Sequence, residues 1–255
     1  QAIDYVESHS SDIALKLLEK IKNVSDESSQ NIYLWLLGFT KDQNSVKDLI
    51  AFYPKVKSEN IKSSVLMALG KIGGEDSGKF LLSQYKKTKN EEEKYAILDS
   101  LAQMKYEPAL EYTESVLKKD PQEFYWQNYF IFGKYGDKGI PFLLEKIKSS
   151  NKNIKQNCIG LLGKWLMAPE AATSFQELYW KEKDSETRKM ILALMEGLIP
   201  DLKEMESIYK AIAEKETNEE LKNFAKETLE EVLPKIKEEL AEYVKGKEKV
   251  NREAF

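Results

Sequence analysis

One cysteine, one histidine and two arginines in 255 residues exclude several kinds of chemistry before any pattern is read. Cys158 stands alone, so no internal disulfide forms and no CxxC zinc framework exists. His9 stands alone, so metal sites that need several imidazoles are excluded. Arginine is the side chain suited to bidentate reading of guanine and phosphate, and only Arg188 and Arg252 are present. No apolar run approaches the roughly 18 residues of a membrane span. The richest, Ile32–Leu37, is six residues long. There is no phosphate-binding G-x-x-x-x-G-K-[ST], no strand-linked G-x-G-x-x-G and no G-x-S-x-G elbow.

What is present is a core's worth of apolar material and a near-balance of charge. Apolar residues make up 42% of the chain, enough to exclude wholesale disorder. The formal net charge of −4 points neither to a basic nucleic-acid footprint nor to an acidic tail. No signal peptide is seen, and the first residue is Gln. A soluble protein is expected, either cytoplasmic or exported and processed.

Glycine and proline punctuate the chain at a near-constant interval. Pro141, Pro169 and Pro200 are followed by Pro234, and short blocks repeat at a similar period. Asn60–Gly74 reads NIKSSVLMALGKIGG, Asn153–Trp165 reads NIKQNCIGLLGKW, Asn31–Phe39 reads NIYLWLLGF and Phe130–Asp137 reads FIFGKYGD. The register residue is Gly38, Gly70, Ala102, Gly133, Gly163 and Glu196, at gaps of 32, 32, 31, 30 and 33. Val65, Leu66, Leu69 and Ile72 make one face of a helix in such a block. A second helix follows, with apolar positions at Val46, Leu49, Ile50 and Tyr53, and again at Ile140, Leu143, Leu144 and Ile147. No window alternates with period two, so no sheet is expected.

The spacing predicts six clear helix pairs, starting near Ser29, Asn60, Asn90, Pro121, Asn151 and Ser185, and a seventh near Asn218. An irregular N-terminal pair is expected over Ala2–Val24. The whole of 1–255 reads as one domain: N-terminal helices in 1–28, repeats in 29–232 and a charged capping helix in 233–255.

The pattern ALGKIGG followed by a second amphipathic helix resembles the HEAT-repeat family in its short, phycobilisome-lyase-type form. Asn60–Gly74, Phe130–Leu144 and Ile154–Trp165 carry the resemblance. It implies an all-α, right-handed solenoid of about seven helix pairs, with a concave surface lined by the second helices. It also implies a non-enzymatic scaffold that binds another protein or a peptide on that surface, as a monomer and without cofactor or metal. The alternative is a nucleic-acid-binding HEAT protein of the alkylpurine DNA glycosylase type. A third reading is a chromophore-lyase-type HEAT protein. The His-Glu pairs of di-iron HEAT hydroxylases do not occur here.

Phe80, Tyr112 and Phe142 lie one residue off the apolar stripe in three consecutive second helices, and Trp180 lies on the polar side of its own. They are the candidate partner-binding residues of the concave face, since aromatic side chains are favoured interface anchors. Lateral packing between neighbouring second helices is the competing explanation. Phe124, Tyr125, Trp126, Tyr129, Phe130, Phe132 and Tyr135 crowd one helix and are expected to be core. For the nucleic-acid alternative the candidate patch is Lys146, Lys148, Lys152, Lys155 and Lys164, with Glu145 the acid within that stretch. Cys158 is expected to be a buried, inert thiol, and His9 a solvated loop residue.

Overall fold

The computed structural model of the chain describes residues 10–253, with side chains for all of these except Phe124, Tyr125 and 244–253. The described residues contain no strand. The helices are α1 (Ser10–Asn23), α2 (Glu27–Thr40), α3 (Ser45–Phe52), α4 (Glu59–Ile72), α5 (Glu75–Lys87), α6 (Glu91–Gln103), α7 (Glu114–Leu117), α8 (Pro121–Tyr135), α9 (Ile140–Lys146), α10 (Lys152–Gly160), α11 (Ala171–Lys181), α12 (Ser185–Met195), α13 (Leu202–Lys215), α14 (Glu219–Glu227) and α15 (Leu233–Glu253). From α2 onward the even-numbered helices open pairs and the odd-numbered ones close them. Every expected pair start lies within two residues of an observed one. Of the N-terminal pair, α1 is described; residues 2–9, His9 among them, lie outside the described residues.

A short polar side chain opens each pair, because the first backbone N–H groups of a helix have no partner within it. Asp26, Ser58, Asn90, Asp120, Asn151, Asp184 and Asn218 each accept from a backbone N–H two or three residues on, at 2.8 to 3.5 Å. The acidic clusters Glu91–Glu93 and Glu219–Glu220 fall in first turns, where they complement the helix dipole.

Two features depart from regular α-helix. The closing elements of the third and fourth pairs begin as 3₁₀ turns, Glu107–Thr113 and Gly136–Gly139, before α7 and α9. Pro108 opens the first of these, and Gly136 takes a left-handed φ of 57° in the second. The first helices of the fifth and seventh pairs end in π turns, Leu161–Trp165 and Thr228–Val232.

Contacts divide the chain into two compact units, one ending at Phe142 and the next beginning at Leu143. In the first, α2, α4, α6 and α8 pack one on the next around buried Leu34, Leu37, Val65, Leu69, Ile97 and Leu101. In the second, Ile154, Ile159, Phe175, Tyr179, Leu192 and Tyr209 are buried. Cys158 is fully buried among them.

The repeating glycine does not end its helix; at Gly38, Gly70 and Gly163 it lets the next first helix approach, whereas a Cβ on Gly133 would meet only Tyr129 of its own helix. A Cβ built on Gly70 would stand 2.7 Å from Ser100 Cβ and 2.9 Å from Ser100 Cα, and one on Gly163 would stand 2.7 Å from Leu194 Cβ. Backbone cannot swing aside as a side-chain tip can. Gly70→Ala is therefore expected to destabilise the chain by about 1–3 kcal/mol, as overpacking does. Urea unfolding checks this, and an unchanged midpoint would mean that α4 and α6 separate at no cost.

Candidate functional site

The sequence-named aromatics of the second helices are packed, with one exception. Phe80 is half-buried and meets Tyr53 of the preceding pair edge-on, with centroids 5.5 Å apart and planes at 82°. Tyr112 is half-buried and meets Tyr85 of its preceding pair in the same way, at 5.4 Å and 70°. The sequence separation is the same in both. Lys86 Nζ lies 5.1 Å from the Tyr112 ring centroid, and the Tyr85 hydroxyl lies 3.1 Å from Ser115 Oγ. Phe142 stacks on Phe132 of its own pair, at 6.2 Å and 16°. Trp180 is 49% exposed, with an edge contact to Tyr179. At Phe80 and Tyr112 this is the geometry of lateral packing between second helices.

Two of the five lysines, Lys152 and Lys155, are compensated by acids about one repeat further along the chain. Lys152 Nζ donates to Asp184 at 3.1 Å and to Glu186 at 2.8 Å, and Lys155 pairs with the nearly buried Glu182. Lys164 lies 5.7 Å from the Trp165 ring centroid, and Lys146 Nζ is 3.8 Å from Glu145. Lys148 and Lys155 line a cleft of about 660 Å³ with Lys181, Lys183, Glu177 and Glu182. Such a cleft is of mixed charge, and Glu182, Asp184 and Glu186 all come from beyond the sequence neighbourhood of the lysines.

Exposed large apolar side chains recur on the first helices of the unit that ends at Phe142, while Leu15, Met167, Trp180, Leu240 and Tyr243 are exposed elsewhere. Trp35 (47%), Met67 (47%) and Phe130 (51%) each stand three residues before the repeating small residue of their helix. Ile32 and Trp126, at 57% and 60%, extend the surface at its two ends. In α6 the same position is Asp99, which accepts from Lys134 Nζ at 2.5 Å. Burial, aided by the Asp99 charge, pushes the neighbouring Tyr95 up to about 12. The expectation that the aromatic-rich α8 is all core is corrected here: Phe132 and Tyr135 are fully buried, but Trp126 and Phe130 face outward. The rings wrap most of the way around α8, further than its packed neighbours α6 and α7 cover.

Between α2 and α4 this surface sinks into a groove of about 280 Å³, lined by Asn31, Ile32, Trp35, Ser64, Met67, Ala68 and Lys71. Ser64 Oγ donates to Asn31 Oδ1 at 2.6 Å across its floor. Trp35 packs edge-on against Phe39, with centroids 4.6 Å apart, and Lys71 Nζ lies 4.1 Å from the Phe39 centroid. Sequence reasoning missed this groove because Ile32, Trp35 and Met67 lie inside apolar runs. The available signal was excess breadth, since IYLWLL is apolar around more of the helix than one partner can bury.

In the second unit the equivalent positions are Gly160 and Ala193, and the polar groups nearby are paired. Gln156 donates to Thr187 Oγ1 at 3.1 Å, and Lys189 pairs with Glu220. Among the described residues no group of three or more His, Cys, Asp or Glu side chains is arranged to hold a metal ion, and no helix is long and apolar enough to cross a membrane. No protein-family model and no curated protein matches the chain.

Proposed function

We propose that the chain is a non-catalytic scaffold that binds another protein or a peptide. In this reading it is a right-handed stack of HEAT-like helix pairs, and its partner docks on the first helices of the unit ending at Phe142. The observation that carries the reading is the exposure of Trp35, Met67 and Phe130 at one register of three first helices. Large apolar side chains held in water together mark a docking surface more often than a lone one does.

The layer is also better suited to an inner face than the second helices named from sequence. Where a two-layer stack curves, the more closely spaced layer follows the shorter arc. Within this unit the first helices pack closely on one another, as at Gly70 where a Cβ would not fit, while the second helices meet through the ring pairs Tyr53–Phe80 and Tyr85–Tyr112. The nucleic-acid alternative draws less support, since acids already neutralise Lys152 and Lys155.

The test is capture of a partner from native extract by the full chain, with measured affinities for the protein captured. A double variant, Trp35→Ser with Phe130→Ser, is expected to melt within a few degrees of the parent. Its affinity for the captured partner should fall by at least about thirtyfold, the equivalent of about 2 kcal/mol for one lost anchor. Full affinity in that variant, with loss instead in Trp180→Ser or Phe80→Ala, would return the site to the second helices.

A further inference from the structure

The groove between α2 and α4 is chemically lopsided. Its walls are Ile32, Trp35 and Met67, and its rim at the C-terminal end of α4 is Lys71. The other two lysines near that end are occupied. Lys41 Nζ donates to the Lys71 carbonyl, and Lys134 holds Asp99. Gln43 donates to the next carbonyl, that of Ile72, at 3.0 Å. The C-terminal end of α4 is therefore capped without Lys71. No carboxylate among the described residues pairs with Lys71, whose ammonium rests near the Phe39 ring. Burial, with Lys41 and Lys134 nearby, holds it below the usual lysine range. At the opposite ends of the two helices stand Glu27 and Glu59, the latter paired with Lys62 at 2.7 Å. An incoming carboxylate is thus favoured at the Lys71 end of the groove.

Size narrows the occupant. A volume of about 280 Å³ falls at or below the floor of small-molecule sites, which run from about 300 to 1,000 Å³. It suits one or two apolar side chains presented by a chain. Asn31 also lines the groove; its oxygen accepts from Ser64, and its amide N–H groups are the donors it has left for a peptide carbonyl.

We propose that this groove takes a short peptide segment of a partner protein, with apolar side chains between Trp35 and Met67 and an Asp or Glu carboxylate on Lys71. The inference rests on the protein-binding reading above and gives it a chemical class of partner: acidic and apolar, engaged one anchor and one charge at a time.

The test is panning a displayed library of random short peptides against the full chain, followed by affinity measurement on synthetic copies of the enriched sequences. Enriched peptides are expected to combine apolar residues with Asp or Glu. Lys71→Glu should weaken the acidic peptides by at least about tenfold and shift enrichment toward Lys- and Arg-bearing ones. Met67→Ser should abolish enrichment of both. Lys71→Gln, which keeps the stem and loses the charge, should fall between Lys71→Glu and the parent. Peptides without acidic bias, or acidic peptides indifferent to Lys71→Glu, overturn this inference but leave the scaffold reading standing. Self-association of the chain that Met67→Ser disrupts also overturns it, since a second copy is then the occupant. Absence of enrichment in the parent, together with no partner captured from extract, removes both.

Discussion

Glu216→Ala is expected to lower stability by about 3–5 kcal/mol, the range for breaking a buried ion pair from one side. Glu216 is 4% exposed and stands two residues before the cap Asn218. Its Oε1 accepts from the Thr217 and Asn218 backbone N–H groups at 2.8 Å each. Its Oε2 accepts from the Tyr179 hydroxyl at 2.6 Å and from Arg188 Nη2. Arg188 in turn lies 4.5 Å from the Tyr179 ring centroid. The carboxylate therefore joins three helices: α11 through Tyr179, α12 through Arg188 and the start of α14. Alanine leaves a largely buried guanidinium without its counter-charge and a buried hydroxyl without its acceptor. Denaturant unfolding followed by circular dichroism measures the loss. A cost under about 1 kcal/mol would mean that water replaces the carboxylate freely.

The same carboxylate should make the unit sensitive to acid. Burial pushes Glu216 up, but the Tyr179 hydroxyl, the Asn218 N–H, Arg188 and the Thr217 N–H outweigh it and hold it below its ordinary value of 4.5. Glu182 repeats the arrangement one pair earlier, with Lys155 and the N–H groups of Lys183 and Asp184, and is also held below 4.5. A carboxylate whose folded value is depressed adds stability above the unfolded-state value and loses it as pH falls through the folded one. The melting temperature should thus be flat above pH 4.5 as far as these groups act, and fall below it. In Glu216→Gln the fall should be shallower than in the parent. Parallel slopes in the two proteins would place the acid sensitivity elsewhere.

Most of the architecture was legible because it is written locally. A capping side chain, a first helix with its face at Val65, Leu66, Leu69 and Ile72, and a small residue at Gly38, Gly70 or Gly163 recur within each block. Each is fixed by contacts within one pair or with the next. The 3₁₀ starts at Glu107 and Gly136 were not foreseen, although Pro108 and Gly136 mark them. The candidate site was legible only in part, because helical periodicity separates core from surface but not one exposed face from another. Phe80 and Tyr112 stand off the stripe because they bridge to Tyr53 and Tyr85, a relation between repeats that no single helix displays. The acids facing Lys152 and Lys155 were likewise hidden by a separation of a full repeat.

The sharpest division between structure and binding is expected inside α8. Tyr135 is fully buried and its hydroxyl donates to the Tyr106 carbonyl at 3.2 Å, a contact back to the preceding pair. Tyr135→Ala should leave a cavity and cost about 3–5 kcal/mol, as truncation of large core aromatics does. About two and a half turns of helix upstream, and so on the opposite face, Trp126 is 60% exposed, edge-on to Tyr129 and tilted against Phe130. Trp126→Ala should cost about 0.5 kcal/mol or less, in line with surface substitutions. Partner affinity should show the reverse order: close to parental for Tyr135→Phe, which keeps the ring in the core, and reduced tenfold or more, about 1.4 kcal/mol, for Trp126→Ala. Thermal melts of the three variants need no knowledge of the partner. If Trp126→Ala destabilised the chain as much as Tyr135→Ala, the outward ring would be packing after all. The apolar surface would then shrink to Ile32, Trp35 and Met67 with Phe130 alone at its far end.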